Sequence, residues 1–401
     1  MADILTSFKR TTEELFTLEA FKEQLKLKRP LRIKYGVDVT APFLHIGHGV
    51  NLWMMRELQD MGHKVIFLIG DFTTRIGDPT GKSDTRPTIP EQEIEKNAQE
   101  FIRQVSLILK TDPELFEIRR NSEWFNKISL SKFISLLSMI THARLISRDM
   151  FQDRINAKRE IYIHEMVYPI LQGYDSVMIK SDLTLVGTDQ LFNEMMGRFF
   201  QEKFGQSPQI IITTKITPGT DGKEKQSKSL GNYIGLEDTP ADKFGKIMSI
   251  PDNLILSYFE VYTSVPLEEL AEIKRRLEDR NVNPRDIKLY LAEKIVERYH
   301  GREISGQERD RFIRIFSRRE VPEDIPEAVI QQDEIDMLHL VKTLLPDISN
   351  SECRRLIIQG AVEVNNNRMR EFQETVRLNT DDIIRIGKRR WWRLKIETPI
   401  N

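Results

Sequence analysis

The chain has 401 residues, of which 39% are hydrophobic and 30% charged, a composition typical of a globular protein with two or three domains. Its single cysteine, Cys353, excludes an internal disulfide and a thiolate metal cluster, and no apolar run approaches the ~18 residues of a membrane span. The N-terminal residues lack the layout of a signal peptide, and a net charge of −1 argues against a general nucleic-acid binder. The sequence therefore predicts a cytoplasmic protein without a membrane contact.

The first elements predict a parallel sheet. Residues 12–28 carry apolar side chains at helical spacing and predict one amphipathic helix. Leu31–Val37 and Val65–Gly70 are short apolar runs typical of strands, and Leu52–Asp60 between them has a helical pattern. A strand, a helix and a strand in this order form a βαβ unit, which binds ligands at the carboxyl ends of its strands.

The rest of the chain divides into an insertion, two further strands, a helical region and a mixed tail. Residues 91–165 are mostly helical and highly charged, whereas Thr184–Val186 and Gln209–Thr214 are predicted to complete the sheet. The predicted organisation is an α/β parallel-sheet domain over 1–235 with the insertion at about 91–165, an α-helical domain over 236–320, a linker over 321–334 and a small α+β domain over 335–401.

The segment His45–His48 reads His-Ile-Gly-His and lies between a predicted strand and a predicted helix. On a helix the two histidines share one face near the positive end of the dipole, and Gly47 leaves room for a flat base against the backbone. These features favour a nucleotide triphosphate site. A metal-binding pair or two surface histidines remain alternatives, although no third ligand is evident in the sequence, so no metal site is predicted.

A second segment, Lys225–Ser229, reads Lys-Gln-Ser-Lys-Ser and follows Gly219 and Gly222. A glycine-flanked loop with two lysines can fold over a triphosphate and bring cations to its β- and γ-phosphates. Taken alone, the segment is better interpreted as an ordinary solvent-exposed loop. Its combination with the two histidines favours the triphosphate interpretation.

The segment Gly77–Ser83 imitates a phosphate-binding P-loop, but it has three residues between its glycines where four are needed. A P-loop ATPase is therefore rejected. Asp78 stays of interest because it follows the carboxyl end of a predicted strand, where a carboxylate can hold a substrate ammonium group.

A polar group of Tyr168, Gln172 and Asp175 falls on one face of a predicted helix in an otherwise apolar stretch. Burying these groups is costly without a polar ligand, so they form a candidate pocket, the alternative being a partly exposed polar face. Gly187 follows a predicted strand and leaves room for a ribose, and Asp189 can accept hydrogen bonds from its hydroxyl groups.

The tail is basic although the chain is not. Residues 351–395 carry eleven Lys and Arg against six Asp and Glu. Such a cluster is often a solvated face, but it also fits a local contact with a polyanion.

Together these motifs resemble a known family. His45–His48 and Lys225–Ser229 resemble the HIGH and KMSKS signatures of class I aminoacyl-tRNA synthetases. Tyr168–Asp175 with Gly187–Gln190 resembles the bacterial tyrosyl-tRNA synthetases over nearly the whole chain, and Ser351–Asn365 resembles their ribosomal S-four-type RNA-binding domain. The resemblance implies a Rossmann-like catalytic domain, an anticodon-side helical domain and a C-terminal RNA-binding domain. It also implies a homodimer that joins L-tyrosine to tRNA(Tyr), with ATP and Mg²⁺.

The resemblance also assigns roles to residues. It implies stabilisation of the triphosphate by His45, His48, Thr40, Lys225 and Lys228, and binding of the adenosine part by Asp38, Gly47, Gly187 and Asp189. It implies tyrosine binding by Asp78, Tyr168, Gln172, Asp175 and Gln190, and tRNA binding by Arg354, Arg355, Lys388, Arg389, Arg390 and Arg393. Asp175 would reject phenylalanine, which leaves a buried carboxylate unpaired; tyrosyl-tRNA synthetases are themselves the standard example of such discrimination.

Three positions depart from the family pattern. Lys34 stands where many relatives present a tyrosine hydroxyl to the substrate, so the second contact to the phenol is unassigned. Gln226 replaces the usual methionine, a change expected to affect packing only, and Val186 replaces a common glycine near the ribose. The rival interpretations are a tryptophanyl-tRNA synthetase and a catalytically silent synthetase-like RNA-binding protein. The pairing of Gln172 with Asp175 argues against the first, and the retained histidines and lysines argue against the second.

Overall fold

The computed structural model describes residues 2–27, 29–40, 43–78, 89–279, 281–317, 325–387 and 390–397. The chain forms two compact units, Met1–Arg309 and Asp310–Asn401. Within the residues just given, no helix is both long and apolar enough to cross a membrane.

The first unit is built on one sheet with the strand order β1-β6-β5-β2-β3-β4. All neighbouring strands are parallel except β1, which is antiparallel to β6. The strands are β1 (Thr12–Phe16), β2 (Arg32–Val37), β3 (Lys64–Ile69), β4 (Phe116–Arg120), β5 (Leu183–Gly187) and β6 (Ile210–Thr214).

Helices cover both faces of this sheet and continue to residue 317. They are α1 (Ala2–Lys9), α2 (Leu18–Leu25), α3 (Ile46–Asp60), α4 (Glu91–Val105), α5 (Ser122–Phe125), α6 (Leu130–Ser138), α7 (His142–Ile146), α8 (Asp149–Asn156), α9 (Ile163–Met178), α10 (Leu191–Lys203), α11 (Pro240–Met248), α12 (Ile255–Tyr262), α13 (Leu267–Glu278), α14 (Pro284–His300) and α15 (Arg302–Ser317). Short 3₁₀ turns lie at Thr73–Arg75, Thr188–Gln190 and Asp252–Leu254.

The central strands are buried on both faces, as a parallel sheet covered by helices requires. Strand β3 shows this most clearly, because its residues Val65–Ile69 are all buried. The chain proceeds from β2 to β3 and β4 on one side, and β5 and β6 lie on the other side of β2. The strand order therefore reverses between β2 and β5, and a ligand crevice is expected at the carboxyl ends of these two strands.

The prediction of a single helix over residues 12–28 is wrong. Thr12–Phe16 is the edge strand β1, and it pairs with β6 from Thr12 opposite Thr214 to Phe16 opposite Ile211. Helix α2 begins only after Thr17, whose side chain accepts a hydrogen bond from the Ala20 amide and caps the helix. Pairing with a distant strand overrides the local helical spacing in the first five residues.

The region 91–165 is not a purely helical insertion. It contains β4, which pairs in parallel with β3 and so extends the main sheet. The helices after β4 contribute Trp124, Leu136 and Leu145 to a buried cluster that also includes Ile170 and Tyr174 of α9. This region thus forms part of the structure that supports the crevice.

The second unit has a sheet with the order β10-β9-β12-β13-β7 and a short pair β11-β8. Its elements are β7 (Glu327–Ile330), β8 (Glu334–Asp336), α16 (Met337–Leu344), α17 (Asn350–Ile358), β9 (Val362–Val364), β10 (Asn367–Met369), β11 (Thr375–Arg377), β12 (Ile383–Ile386) and β13 (Arg390–Ile396). The last two strands along the chain, β12 and β13, pair antiparallel.

The segment 321–334 is not wholly a linker. Strand β7 lies within it and pairs in parallel with β13, from Glu327 opposite Arg393 to Ile330 opposite Ile396. The C-terminal sheet therefore includes residues that precede the expected boundary at 335.

Candidate active site

A cavity of about 540 Å³ lies at the carboxyl ends of β2, β3 and β5, where the strand order reverses. Every catalytic, ATP-binding and tyrosine-binding residue expected from the sequence lines it. These residues are Asp38, Thr40, His45, Gly47, His48, Asp78, Tyr168, Gln172, Asp175, Gly187, Asp189, Gln190, Lys225 and Lys228.

The two histidines of the first motif form the start of α3. His45 is the N-cap residue and its Nδ1 accepts a hydrogen bond from the Gly47 amide at 3.2 Å, while His48 Nδ1 accepts from the His45 amide at 3.3 Å. A neutral imidazole that accepts at Nδ1 carries its proton on Nε2, so each ring keeps one donor for a ligand.

Both imidazoles are neutral in this environment. Burial, together with the charges of His48 and Lys225, lowers the pKa of His45 to about 2. Burial and the charge of Lys225 lower the pKa of His48 to about 4. The ring centroids lie 3.9 Å apart, too close for two cations, and the pair presents neutral hydrogen-bond donors at the positive end of the helix dipole.

The lysine loop opposite the histidines is held by Asn232. Its side-chain oxygen accepts from the Ser227 amide at 2.8 Å, and its amide group donates to Asp221 and to the main chain of the loop. Lys225 lies 3.5 Å from Asp189, and the ammonium group of Lys228 lies 5.5 Å from the centre of the Phe43 ring. Both lysines remain exposed, so they can move toward a bound anion.

Gln226 does more than fill space, contrary to expectation. Its buried amide donates to the Tyr262 hydroxyl at 2.8 Å, and its Oε1 accepts from the Ile234 amide at 3.2 Å. The Tyr262 hydroxyl also bonds Thr217. Gln226 thus joins the lysine loop to α12 through polar contacts that a methionine could not make.

Two acidic residues of the crevice accept hydrogen bonds from neighbouring side chains. Asp38 accepts from the Tyr168 hydroxyl at 3.0 Å and from Thr73 Oγ1 at 2.8 Å, and Asp78 accepts from the Gln190 amide at 2.8 Å. Burial, followed by the charge of Asp38, raises the pKa of Tyr168 well above its usual value, so its hydroxyl stays a donor.

Asp175 lies at the buried end of the cavity. Its Oδ1 accepts from Trp124 Nε1 at 2.9 Å and its Oδ2 from Asn121 Nδ2 at 3.3 Å. Burial raises the pKa of the carboxyl to about 8, and the charge of Lys34 and these hydrogen bonds oppose the rise. A buried carboxyl in this setting favours a ligand that brings a hydrogen-bond donor.

Sequence reasoning missed several residues of this site. Asn121 and Trp124 follow β4, and they escaped attention because β4 itself was taken for part of a helical insertion. Asn193 and Glu194 lie one helical turn after Gln190 and bond Gln172. The local signal for Asn121 and Trp124 was that they follow a short segment, 116–120, in which apolar and polar residues alternate.

The C-terminal basic residues lie on the second unit. Arg354, Arg355 and Arg390 are exposed, and Arg393 is half-buried beside Asp381 at 3.7 Å. Lys388 and Arg389 lie outside the described residues. Cys353 is fully buried in the hydrophobic core of this unit.

No group of three His, Cys, Asp or Glu residues suited to a metal ion is found in the part of the chain that the structure describes. The polar groups of the crevice are instead arranged as hydrogen-bond donors and acceptors around the cavity. Such an arrangement fits a ligand with an anionic end near the lysine loop and a donor at the Asp175 end.

Comparison with known proteins supports this description. Residues 26–317 match the family described as tRNA synthetases class I (W and Y). The chain is 42% identical to the Tyrosine--tRNA ligase of Thermotoga maritima, with 96% of each chain covered. It is 44% identical to the Tyrosine--tRNA ligase of Carboxydothermus hydrogenoformans, over 96% of this chain and 94% of that one.

Solved structures share the fold. A C-terminally truncated mitochondrial tyrosyl-tRNA synthetase of Aspergillus nidulans superposes with a TM-score of 0.63 and 20% identity, over 78% of this chain and 94% of that one. A tyrosyl-tRNA synthetase of Archaeoglobus fulgidus, complexed with L-tyrosine, superposes with a TM-score of 0.58 and 21% identity, over 77% and 99%.

Proposed function

The chain belongs to the class I tRNA synthetases of the W and Y type, and on that premise we propose that it acts as a tyrosine–tRNA ligase. It activates L-tyrosine with ATP to tyrosyl-adenylate and pyrophosphate, and then transfers the tyrosyl group to tRNA(Tyr). The observation that carries the proposal is the placement of buried Asp175 in the same cavity as the two histidines and the two loop lysines. A carboxyl at the closed end matches a phenol, and the cationic mouth matches a triphosphate.

The activation step is an in-line displacement at phosphorus. A carboxylate oxygen of tyrosine attacks the α-phosphorus, the new C–O–P bond forms, and the bond to the β-phosphate oxygen breaks as pyrophosphate leaves. The protein forms no covalent bond in this step, so it accelerates the reaction by positioning the substrates and stabilising charge in the transition state. The Nε2 donors of His45 and His48, with Thr40 beside them, stabilise charge on the triphosphate oxygens, and Lys225 and Lys228 close over the departing pyrophosphate.

The adenosine part lies along the carboxyl ends of β2 and β5. Gly187 precedes Asp189, whose carboxylate accepts from ribose hydroxyl groups, and Asp38 and Gly47 line the same side. A Cβ on Gly187 would lie 2.8 Å from the Asp189 carboxylate, so a side chain there would displace the ribose acceptor. Mg²⁺ enters on the phosphates of ATP, as part of the substrate.

Tyrosine binds deeper in the cavity. Asp78, Tyr168 and Gln172 hold the α-ammonium group, and Gln190 the carboxylate. The Gln190 amide donates to Asp78 at 2.8 Å, and this contact supports a common role of the two residues at the headgroup of the amino acid. Asp175 accepts the hydrogen bond of the phenol.

Transfer of the tyrosyl group requires the tRNA and a dimer. The exposed arginines of the second unit offer contacts to its phosphate backbone. The region 91–165 and the start of α9 carry exposed apolar residues, among them Leu130, Ile134 and Ile163, and we assign the homodimer contact to this region. A mass measurement in solution tests the dimer, and we expect the protein to act in the cytoplasm.

The test of the proposed function is amino-acid-dependent ATP–pyrophosphate exchange, measured in parallel with tyrosine, tryptophan and phenylalanine. We expect exchange with tyrosine and none above background with the other two. Exchange with tryptophan would instead indicate the sister enzyme, and no exchange with any of the three would favour an RNA-binding protein without catalysis.

Gly47 provides a test of the histidine geometry. A Cβ on this residue would lie 2.9 Å from the His45 ring, so Gly47→Ala must displace the imidazole or the start of α3. Because a misplacement of about 1 Å in a catalytic group costs about 10²-fold, we expect ATP–pyrophosphate exchange to fall by about that factor.

Gly306 offers the matched control. Among the described residues no heavy atom lies within 4 Å of a Cβ placed there, and the residue is in the exposed helix α15. Gly306→Ala should leave the exchange rate unchanged and stabilise the helix by up to ~1 kcal/mol. Equal exchange rates in the two variants would show that the His45 ring position does not matter.

A further inference from the structure

Lys34 is a buried cation in the wall of the cavity. It belongs to β2, its side chain is 2% exposed, and it lines the cavity together with Asp175 and Glu194. Its ammonium nitrogen lies 2.6 Å from Glu194 Oε2 and 2.8 Å from Ser176 Oγ. Sequence analysis leaves the second contact to the substrate phenol unassigned at this position, and the proposed activation step gives Lys34 no role.

Stabilisation of the fold does not explain the ion pair between Lys34 and Glu194. Removing two charges from water costs about as much as their attraction returns, and apolar residues of similar size would stabilise the protein equally well or better. A buried pair that also borders a ligand cavity therefore points to recognition of a ligand. The donor inventory supports this, because an ammonium group carries three hydrogens and, within the described part of the chain, Lys34 Nζ has two acceptors.

Glu194 fixes the position of the ammonium group. Its Oε1 accepts from the Gln172 amide at 2.8 Å and its Oε2 from the Gln209 amide at 2.8 Å, in addition to the contact with Lys34. With these donors its carboxylate is held from several sides. Lys34 is thus held in one place, and its remaining hydrogen has a defined direction.

Asp175 supplies the complementary group. Trp124 and Asn121 each donate to one of its oxygens, at 2.9 and 3.3 Å, and further lone pairs remain for a ligand. Burial raises the pKa of this carboxyl, and the positive charge of Lys34 acts against that rise. A fixed donor and a fixed acceptor that border the same end of the cavity match a hydroxyl group, which both accepts and donates.

We propose that Lys34 is a specificity-determining residue: its ammonium group donates a hydrogen bond to the phenol oxygen of the substrate while Asp175 accepts a hydrogen bond from the phenol hydroxyl, and Glu194 is the positioning residue for Lys34. The proposal rests on the proposed tyrosine activation and adds to it the second contact of the phenol. Phenylalanine would leave both charges without a ligand partner. 4-Aminophenylalanine keeps a donor for Asp175 but offers Lys34 only a weak acceptor, so it separates the two contacts.

The test compares the specificity constants kcat/KM for tyrosine and 4-aminophenylalanine in ATP–pyrophosphate exchange. The main variant is the double replacement Lys34→Met with Glu194→Gln, which removes both charges together and leaves no unpaired buried ion. The single variants Lys34→Met and Glu194→Gln are measured beside it, and thermal unfolding reports whether each variant folds.

We expect tyrosine to exceed 4-aminophenylalanine by at least tenfold in the unchanged protein, because a hydrogen bond to a charged group contributes roughly ten- to hundredfold. In the folded double variant this preference should fall by roughly the same factor, through a higher KM for tyrosine with little change in kcat. The affinity for phenylalanine, which is measured by equilibrium dialysis because no exchange is expected with it, should not fall, since its ring makes no contact with the ammonium group.

Two results would overturn the proposal about Lys34, and a third would reject the proposed function. A folded double variant that keeps the preference for tyrosine over 4-aminophenylalanine would overturn the proposal and leave Lys34 a structural partner of Glu194. If the double variant does not fold, the test uses the unchanged protein alone. Equal kcat/KM values for tyrosine and 4-aminophenylalanine in that protein would also overturn the proposal. Failure to activate tyrosine in the unchanged protein would instead reject the proposed function.

Discussion

Replacement of Lys228 by alanine is expected to slow formation of tyrosyl-adenylate by about 10²–10³-fold, the usual cost of removing one preorganised group that stabilises transition-state charge. The ammonium group lies over the Phe43 ring at 5.5 Å, at the mouth of the cavity and opposite the histidines. Its charge becomes useful only when the pyrophosphate begins to leave, so the loss should appear in kcat and not in binding of tyrosine.

The measurement is a rapid-mixing assay of adenylate formation, with tyrosine affinity determined separately by equilibrium dialysis. Lys223→Ala is the matched control, because Lys223 belongs to the same exposed loop but does not line the cavity. The control should keep the rate within about twofold, since exposed charges distant from the reacting atoms contribute little. If Lys223→Ala and Lys228→Ala reduce the rate equally, the loop acts through its general charge and not through a placed cation.

Lys225→Ala should affect a different contact. Lys225 lies 3.5 Å from Asp189 and lowers the pKa values of both histidines through its charge. Its removal would therefore change the pKa values of the histidines as well as the contact with pyrophosphate. For this reason Lys228, which has no such ion pair among the described residues, gives the simpler interpretation.

Most of the residues expected in the site from the sequence have a local signal. They follow short apolar runs typical of buried strands, such as Val65–Gly70, or stand at helical spacing, such as Gln172 and Asp175, whereas Lys225 and Lys228 were expected from a loop motif. Local periodicity specifies these positions, and the parallel arrangement of the strands then brings their ends together. The catalytic, ATP-binding and tyrosine-binding residues expected from the sequence all line the same cavity.

What the sequence could not predict depends on contacts between distant residues. Thr12–Phe16 has helical spacing and becomes a strand only because β6, about 200 residues later, offers an edge. The pair Lys34 and Glu194 joins β2 to α10, and no local pattern marks either residue as charged and buried. Strand β7 escaped notice for the same reason, because it pairs with the last strand of the chain.

Glu194 shows how such a contact changes the chemistry of a predicted site. The family resemblance implies that Gln172 binds the substrate, and in the structure its amide donates to Glu194, which in turn holds Lys34. The two ends of the tyrosine pocket are therefore connected through one carboxylate. A change at Glu194 is expected to act on both.

Removal of the C-terminal unit is expected to lower the rate of tRNA charging by at least about 10²-fold while adenylate formation stays within about twofold. Proteins that neutralise several phosphates lose affinity steeply when those contacts go, since each contact releases counterions. The active-site cavity is lined entirely by residues of the first unit, so activation does not need the removed residues.

The position of the cut matters. A chain ending at residue 334 would keep β7 without its partner β13, and an unpaired strand invites aggregation. A chain ending at residue 317 avoids this, because it stops at the end of α15. Adenylate formation and tRNA charging are then measured on the same preparation.

A full-length variant separates the loss of charge from the loss of the whole unit. Arg354 and Arg355 are exposed on α17, and reversal of both to glutamate should weaken tRNA charging by about tenfold or more and reduce its dependence on salt. The variant Lys9→Glu with Lys96→Glu changes the net charge equally at exposed positions of the first unit, and it should charge tRNA normally. Equal losses in the two variants would mean that the net charge of the protein, and not the basic surface of the C-terminal unit, attracts the tRNA.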